Sequence, residues 1–196
     1  MQSFMRFSAI TGVLCGLFVA VPGAIEAFTA ETAPTSFVLG VAPSLAVPLV
    51  TGLYLGQRAR AGGFGLVGYA AQVIGLGLFG GAAYTLNLAL FHLDRAALAA
   101  LLQGPTRAAL LGSAAVFAAG TALFAVSMVR AGVHPRVPVV GYGVALPLFA
   151  LLAPLPDTAL TSALHVVAGA CVVWLSASLW TRRAWPAAAP AGAPVG

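Results

Sequence analysis

The sequence contains very little charge. Only 7% of its 196 residues are charged, whereas 61% are hydrophobic and the mean hydropathy is +1.01. An average soluble domain has about 25% charged residues. The composition therefore excludes an ordinary soluble protein and predicts an all-α fold, namely a polytopic transmembrane helical bundle.

Other residue types and motifs are also scarce. Lysine is absent, so the nine basic residues are all arginine, which indicates a high-GC bacterial source. The arginines are scattered between apolar runs and form no basic stripe, so nucleic acid is not a predicted partner. Cys15 and Cys171 have no C-x-x-C spacing and are expected to pack. No zinc spacing, nucleophile elbow, P-loop or dinucleotide fingerprint is present, so neither metal nor cofactor is predicted.

Six apolar segments are long enough to cross about 30 Å of hydrocarbon, which takes about 20 helical residues. We place them at 7–28, 36–57, 64–92, 107–129, 137–155 and 158–181. The connections between them are rich in glycine, proline, polar or charged residues. The predicted organisation is one bundle over 1–183, followed by a Pro/Ala/Gly-rich tail, 184–196, that is expected to be disordered and cytoplasmic.

The arginines orient this six-span bundle. Two of the nine, Arg95 and Arg107, fall on one side, and all four acidic residues lie at the same outer ends. The other seven fall on the opposite side, at Arg6, Arg58, Arg60, Arg130, Arg136, Arg182 and Arg183. Since cytoplasmic loops carry an excess of arginine, both termini are predicted to be cytoplasmic, in a bacterial plasma membrane.

The first apolar segment admits a second interpretation. Arg6, the apolar run after it and the small residues Gly23 and Ala24 are also typical of a secretory signal peptide and its cleavage site. The arginine bias does not separate the two, because the second segment begins outside in either case. A first span and a cleaved signal peptide both stay open.

A short helix is predicted on the outer side, between the third and fourth spans. In "LDRAALAALLQGP", Asp94 is suited to the N-cap, and Gly104 and Pro105 to the stop. This helix would lie on the membrane surface or cover the outer end of the bundle.

Acidic and imidazole groups at the outer ends of the first and sixth spans are the candidate catalytic residues: Asp157, His165 and Glu26. Asp157 and His165 share nearly one helical face but are about 12 Å apart, so a ligand or another helix must bridge them. A carboxylic acid in a weakly hydrated place has its charged form disfavoured and can donate a proton. Glu26 can equally be an acid that sits where the membrane ends.

The outer end of the third span supplies candidate ligand-binding residues, Tyr84, Asn87 and His92. Tyr84, Asn87 and Phe91 fall on one helical stripe, and His92 on a neighbouring one. The competing interpretation is that such groups are interhelical hydrogen bonds that hold the bundle together. A haem between His92 and His165 is not expected, because the two lie at different depths. His134 belongs to a cytoplasmic turn and is expected to be solvated.

Two stretches, "SMVRAGVHPRVPVV" and "LHVVAGACVVWLSASLWTRR", carry a family resemblance. With them, residues 36 to 183 resemble small, mostly uncharacterised multi-pass membrane proteins of actinobacteria. That resemblance implies a topology and no particular activity. A weaker analogy links the chain to integral membrane terpene cyclases, which implies membrane-embedded acids that protonate an isoprenoid.

Three functional classes stay open. The first is a structural or accessory bundle, or one that binds a lipophilic ligand; the second is an enzyme acting on an isoprenoid-like substrate. A small transporter comes last, because the inner halves of the spans are nearly all apolar. Membrane lipids and a lipophilic small molecule are the expected partners, and the sequence identifies no protein partner.

The predicted topology can be tested with reporter fusions after Arg60, Arg130 and Arg183. Each should be active only with a reporter that works in the cytoplasm, because these arginines define the inner side. An external signal from any of the three fusions would contradict the orientation.

Overall fold

The computed structural model describes residues 2–29, 31–153 and 158–181. These residues form the helices α1 (Gln2–Glu26), α2 (Ala33–Tyr84), α3 (Arg95–Leu101), α4 (Gly104–Ala131), α5 (Arg136–Leu152) and α6 (Ala159–Trp180). A π-helical segment, Thr85–Leu90, continues α2. No strand occurs in these ranges, so the all-α prediction is confirmed. Asp157 and the predicted tail both lie outside the described residues.

The helices have the length and the surface of membrane spans. Within the described ranges, four are long and apolar enough to cross a bilayer, at Gln2–Glu26, Ala33–Leu90, Gly104–Ala131 and Ala159–Trp180, and the apolar α5 is shorter. Large hydrophobic side chains such as Ile10, Val67 and Val137 are exposed. Outward-facing apolar groups are stable in lipid, where a helix satisfies its own backbone hydrogen bonds. The six-span count and the cytoplasmic termini stay predictions.

The α2 helix reverses direction at Gly62. Residues 58–63 were expected to form a loop, but only Gly62 has non-helical angles there, with φ 57° and ψ −158°. Residues with a Cβ avoid this combination, whereas glycine tolerates it. The two arms, 33–61 and 63–84, then pack antiparallel, with Tyr54 stacked on Tyr69 at 4.4 Å between ring centroids. Farther from the turn, Gly80 lies against Pro43.

The elements close into a ring. The α1 helix packs against the first arm of α2, and α2 against α4, followed by α5 and α6, which returns to α1. Gly75 places the second arm against the backbone of Phe117 in α4. Large apolar side chains such as Leu49, Phe124 and Leu175 are fully buried inside. The interior is therefore shared by all the long helices.

Glycines determine how closely the helices approach. A Cβ on Gly16 of α1 would lie 2.6 Å from the backbone oxygen of Gly169 in α6, and a Cβ on Gly120 of α4 would lie 2.5 Å from the oxygen of Ala71. Four glycines of the second arm of α2 differ in their surroundings. Gly75 meets α4 and Gly80 meets the first arm of α2, whereas Gly77 and Gly81 face open space.

Because α1 approaches α6 closely at Gly16, substitution by alanine should affect the melting temperature differently at Gly16 and at Gly81. Gly16→Ala should lower the melting temperature of the purified protein, because overpacking against a backbone typically costs about 1–3 kcal/mol. Gly81→Ala is the matched control and should leave it unchanged or raise it, because alanine favours the helix where nothing lies nearby. Equal melting temperatures for the two variants would contradict the observed crossing.

Candidate functional site

His165 lies at the contact between α6 and α1. Its Nδ1 atom is 2.7 Å from the backbone oxygen of Thr161, and its ring meets Phe149 edge-on at 4.6 Å between centroids. A carbonyl only accepts hydrogen bonds, so Nδ1 carries the hydrogen, and Nε2 is the acceptor whenever the ring is neutral. On the α1 side, Gly23 contacts the Cβ of His165 and has no room for a side chain. The histidine is half-buried.

Glu26 ends α1, three residues after Gly23. It is half-buried, and its Oε1 atom is shielded from solvent. The C-terminal end of a helix is the unfavourable end for a negative charge. The structure thus brings the elements that carry Glu26 and His165 together through Gly23. The third candidate catalytic residue, Asp157, lies outside the described residues.

The three candidate ligand-binding residues lie elsewhere, where the end of α2 packs against its own first arm. The Nδ2 atom of Asn87 donates to the Ala83 oxygen at 2.8 Å, and its Cβ faces Gly40. Tyr84 is 53% exposed, and His92 is exposed beside the ring of Phe91. The π-helical segment was not predicted, and it changes the spacing of the expected stripe. Asn87 and Leu88 therefore lie against Gly40 in the first arm of α2.

An apolar groove runs along the C-terminal end of α1 and the N-terminal end of α6, the ends predicted to lie on the outer side. Its volume is about 380 Å³. Small or apolar side chains form its walls, and Ser162 is the polar exception: Gly23, Ala24, Ala27, Phe28, Ala159, Ser162, Ala163, Val166 and Val167. Phe28 is 91% exposed at the end of the groove. Gly23 both lines the groove and contacts His165.

The interior is more polar than the sequence suggested. Gln57, Gln72 and Thr121 are fully buried, although we expected the inner halves of the spans to be nearly all apolar. Gln57 donates to the Ser127 hydroxyl at 3.1 Å and thereby joins α2 to α4. Gln72 borders a central cavity of about 50 Å³ that Tyr142 of α5 also lines. The signal was present in the sequence, since "GYAAQVIGLG" places a lone glutamine in an apolar run.

His134 also differs from its expected environment. It was expected to be solvated, but it is 4% exposed and its Nε2 atom lies 3.0 Å from the backbone oxygen of Leu53. The loop between α4 and α5 is therefore attached to the first arm of α2. At the same end of the bundle, Arg130 lies over the ring of Phe64 and Arg6 over that of Trp180.

Comparisons with known proteins do not identify a family for this chain. The sequence matches no known protein family, no curated protein and no solved structure. The resemblance to actinobacterial membrane proteins and the terpene-cyclase analogy therefore stay predictions. Across the three described ranges, no three histidine, cysteine or acidic residues come together as metal ligands would.

His134 and His92, the two histidines that are not candidate catalytic residues, can be compared in a stability test. His134→Ala should lower the melting temperature by about 2–4 °C, the effect of losing one net hydrogen bond in a chain of this size. His92→Ala, at an exposed position, should leave it unchanged. If both variants melt like the unmodified protein, the contact between His134 and Leu53 does not stabilise the fold.

Proposed function

We propose that this is a multi-pass protein of the bacterial plasma membrane that binds a lipophilic molecule in the outer groove between α1 and α6. The groove itself is the observation that carries the proposal. Its volume of about 380 Å³ falls within the range of about 300–1,000 Å³ typical of small-molecule sites. The six-span topology with both termini inside would place it in the outer leaflet.

The walls of the groove suit an apolar chain. Alanine and glycine at five of its nine positions keep it open, since larger side chains would fill it. Val166 and Val167 add apolar surface along α6. An acyl or isoprenoid chain of the surrounding lipid matches this shape and needs no hydrogen-bonding partners along its length.

Polar groups beside the groove suit a ligand with a polar end. The Ser162 hydroxyl is part of the groove wall. Glu26 immediately precedes Ala27, which also lines the groove. His165 lies behind Gly23 with its Nδ1 hydrogen already donated to Thr161. An amphipathic lipid, with its chain in the groove and its polar end toward Glu26, is the class of ligand this arrangement favours.

An enzyme is the second candidate function. It is favoured because α1 and α6, which carry Glu26 and His165, meet beside the groove. In this version an acid, Asp157 or Glu26, protonates the bound isoprenoid-like molecule, and Nε2 of neutral His165 accepts the proton that the resulting carbocation loses as its new double bond forms. The central cavity argues against a reaction deeper in the bundle, because about 50 Å³ is far below the volume of such a substrate.

The groove can be filled by substitution and probed with a photoreactive lipid. Ala163→Trp should strongly reduce crosslinking to a diazirine-bearing phospholipid and to a diazirine-bearing polyprenol, because the indole occupies the groove. Ala108→Trp is the matched control, an exposed alanine near the start of α4, and should crosslink like the unmodified protein. Peptide mapping by mass spectrometry should locate the adducts in residues 23–28 and 159–167.

Each result has a defined meaning. Adducts spread evenly over all lipid-facing helices, or equal crosslinking of both tryptophan variants, would contradict a specific site. Preference for one of the two probes identifies the ligand class. If the polyprenol is converted to a new product by the unmodified protein but not by Asp157→Asn, the enzyme is the better description.

A further inference from the structure

Five exposed arginines lie at one end of the bundle. They belong to the start of α1, the turn of α2, the end of α4 and the start of α5: Arg6, Arg58, Arg60, Arg130 and Arg136. Contacts between the helices hold these segments at the same end. Gly52 of α2 lies against Ser8 of α1 and Leu179 of α6. The backbone oxygen of Leu53 lies 3.0 Å from His134, in the loop between α4 and α5. We call this surface the arginine end.

No described carboxylate neutralises the arginine end. Arg6 and Glu26 lie near opposite ends of the same helix, about 30 Å apart at helical rise. Glu31 precedes the first arm of α2 and Asp94 follows the second, so both lie at the end opposite the turn. Within the described part of the chain, none of the five arginines forms an ion pair. A surface that carries charge of one sign attracts ions of the other, here anions.

Two of these arginines are held over aromatic rings. The guanidinium carbon of Arg130 lies 4.9 Å from the centroid of the Phe64 ring, and that of Arg6 lies 5.9 Å from the centroid of the Trp180 ring. Both distances fall within the range of about 6 Å for a cation–π contact. The rings of Phe64 and Trp180 are 38% and 56% exposed, so each pair is accessible from outside the bundle.

A guanidinium held in this way is suited to bind a phosphate. It is planar and carries five N–H donors, and a ring beneath its face leaves the donors at its edge available. Phosphate accepts two parallel hydrogen bonds from such a group. Because the ring already restricts the side chain of Arg130 or Arg6, less conformational freedom is lost when a phosphate binds.

The position of the pairs along the helices matches the level of lipid headgroups. Trp180 ends α6, which is long and apolar enough to span a membrane, and Arg130 lies in the last turn of α4, another such helix. Tryptophan is enriched where a span meets the membrane surface. Clusters of arginine beside the end of a span attract lipids with anionic headgroups.

We propose that the arginine end binds the phosphate groups of anionic phospholipids, with Arg130 over Phe64 and Arg6 over Trp180 as its two positioned contacts. The ligand class is a diacyl phospholipid with a net negative headgroup. This proposal rests on the membrane location proposed above but not on the groove, which lies at the opposite ends of α1 and α6.

Native mass spectrometry of the full chain in detergent tests this proposal. Phosphatidylglycerol and phosphatidylcholine with identical acyl chains are added in equal amounts, and the protein should retain more of the anionic lipid. Arg130→Gln and Arg6→Gln should each lower this preference about fivefold, because each removes one cation at the headgroup. Arg107→Gln is the matched control; it removes the same charge from an exposed position at the start of α4 and should keep the preference.

A second variant separates the positioned contact from net charge. Phe64→Leu keeps every charged group but removes the ring beneath Arg130, so it should also lower the preference for phosphatidylglycerol. An unchanged preference in this variant would contradict the role of the ring. Phe64 is partly exposed, and the melting temperature of the variant checks that it is folded.

The remaining outcomes also decide. Equal retention of the two lipids by the unmodified protein would overturn the proposal, as would an Arg107→Gln effect as large as that of Arg130→Gln. Displacement of the lipid by an equal concentration of glycerol 1-phosphate would show a site for soluble anions instead. Ala163→Trp, which fills the groove, should keep the preference. If it abolishes the preference and the arginine variants do not, the lipid binds in the groove and the arginine end is not the site.

Discussion

The close approach of α1 to α6 controls the rest of the structure. At the Gly16 and Gly169 crossing, each helix lies against the backbone of the other with no space for a Cβ. In lipid, the hydrophobic effect does not drive helices together, so such contacts rely on close packing between small residues. The same two helices meet again where Gly23 contacts His165, and the small side chains beside that contact leave the groove.

Polar groups in the bundle fall into two kinds. Some connect elements directly, as Gln57 does with Ser127 and His134 with the backbone of Leu53. These bonds lie near the end that carries most of the arginines, and they fix the loops there. Gln72 of α2 and Tyr142 of α5 are different, because they interact with each other deep in the bundle, beside the wholly apolar central cavity.

Sequence reasoning predicted the elements well and their contacts poorly. The apolar runs are long, so the helices lie close to the predicted spans, and Asp94 caps α3 through Ala97 as expected. Helical periodicity cannot reveal which glycines meet a neighbour, and Gly77 and Gly75 look alike until the crossing is known. The sequence also cannot reveal the hydrogen-bond partner of His134, because the Leu53 carbonyl is 81 residues away. The groove could not be predicted from the sequence, because its walls are small or apolar side chains that carry no motif.

The central cavity and the groove share helices but lie at different depths along them. Val19 and Gly169 line the central cavity, while Gly23 and Val166, one turn nearer the outer end on each helix, line the groove. The crossing at Gly16 and Gly169 lies beside the cavity, so an apolar chain can occupy the groove without separating the helices there. Occupation of the groove therefore leaves the central cavity unchanged, and the tryptophan at Ala163 tests the groove alone.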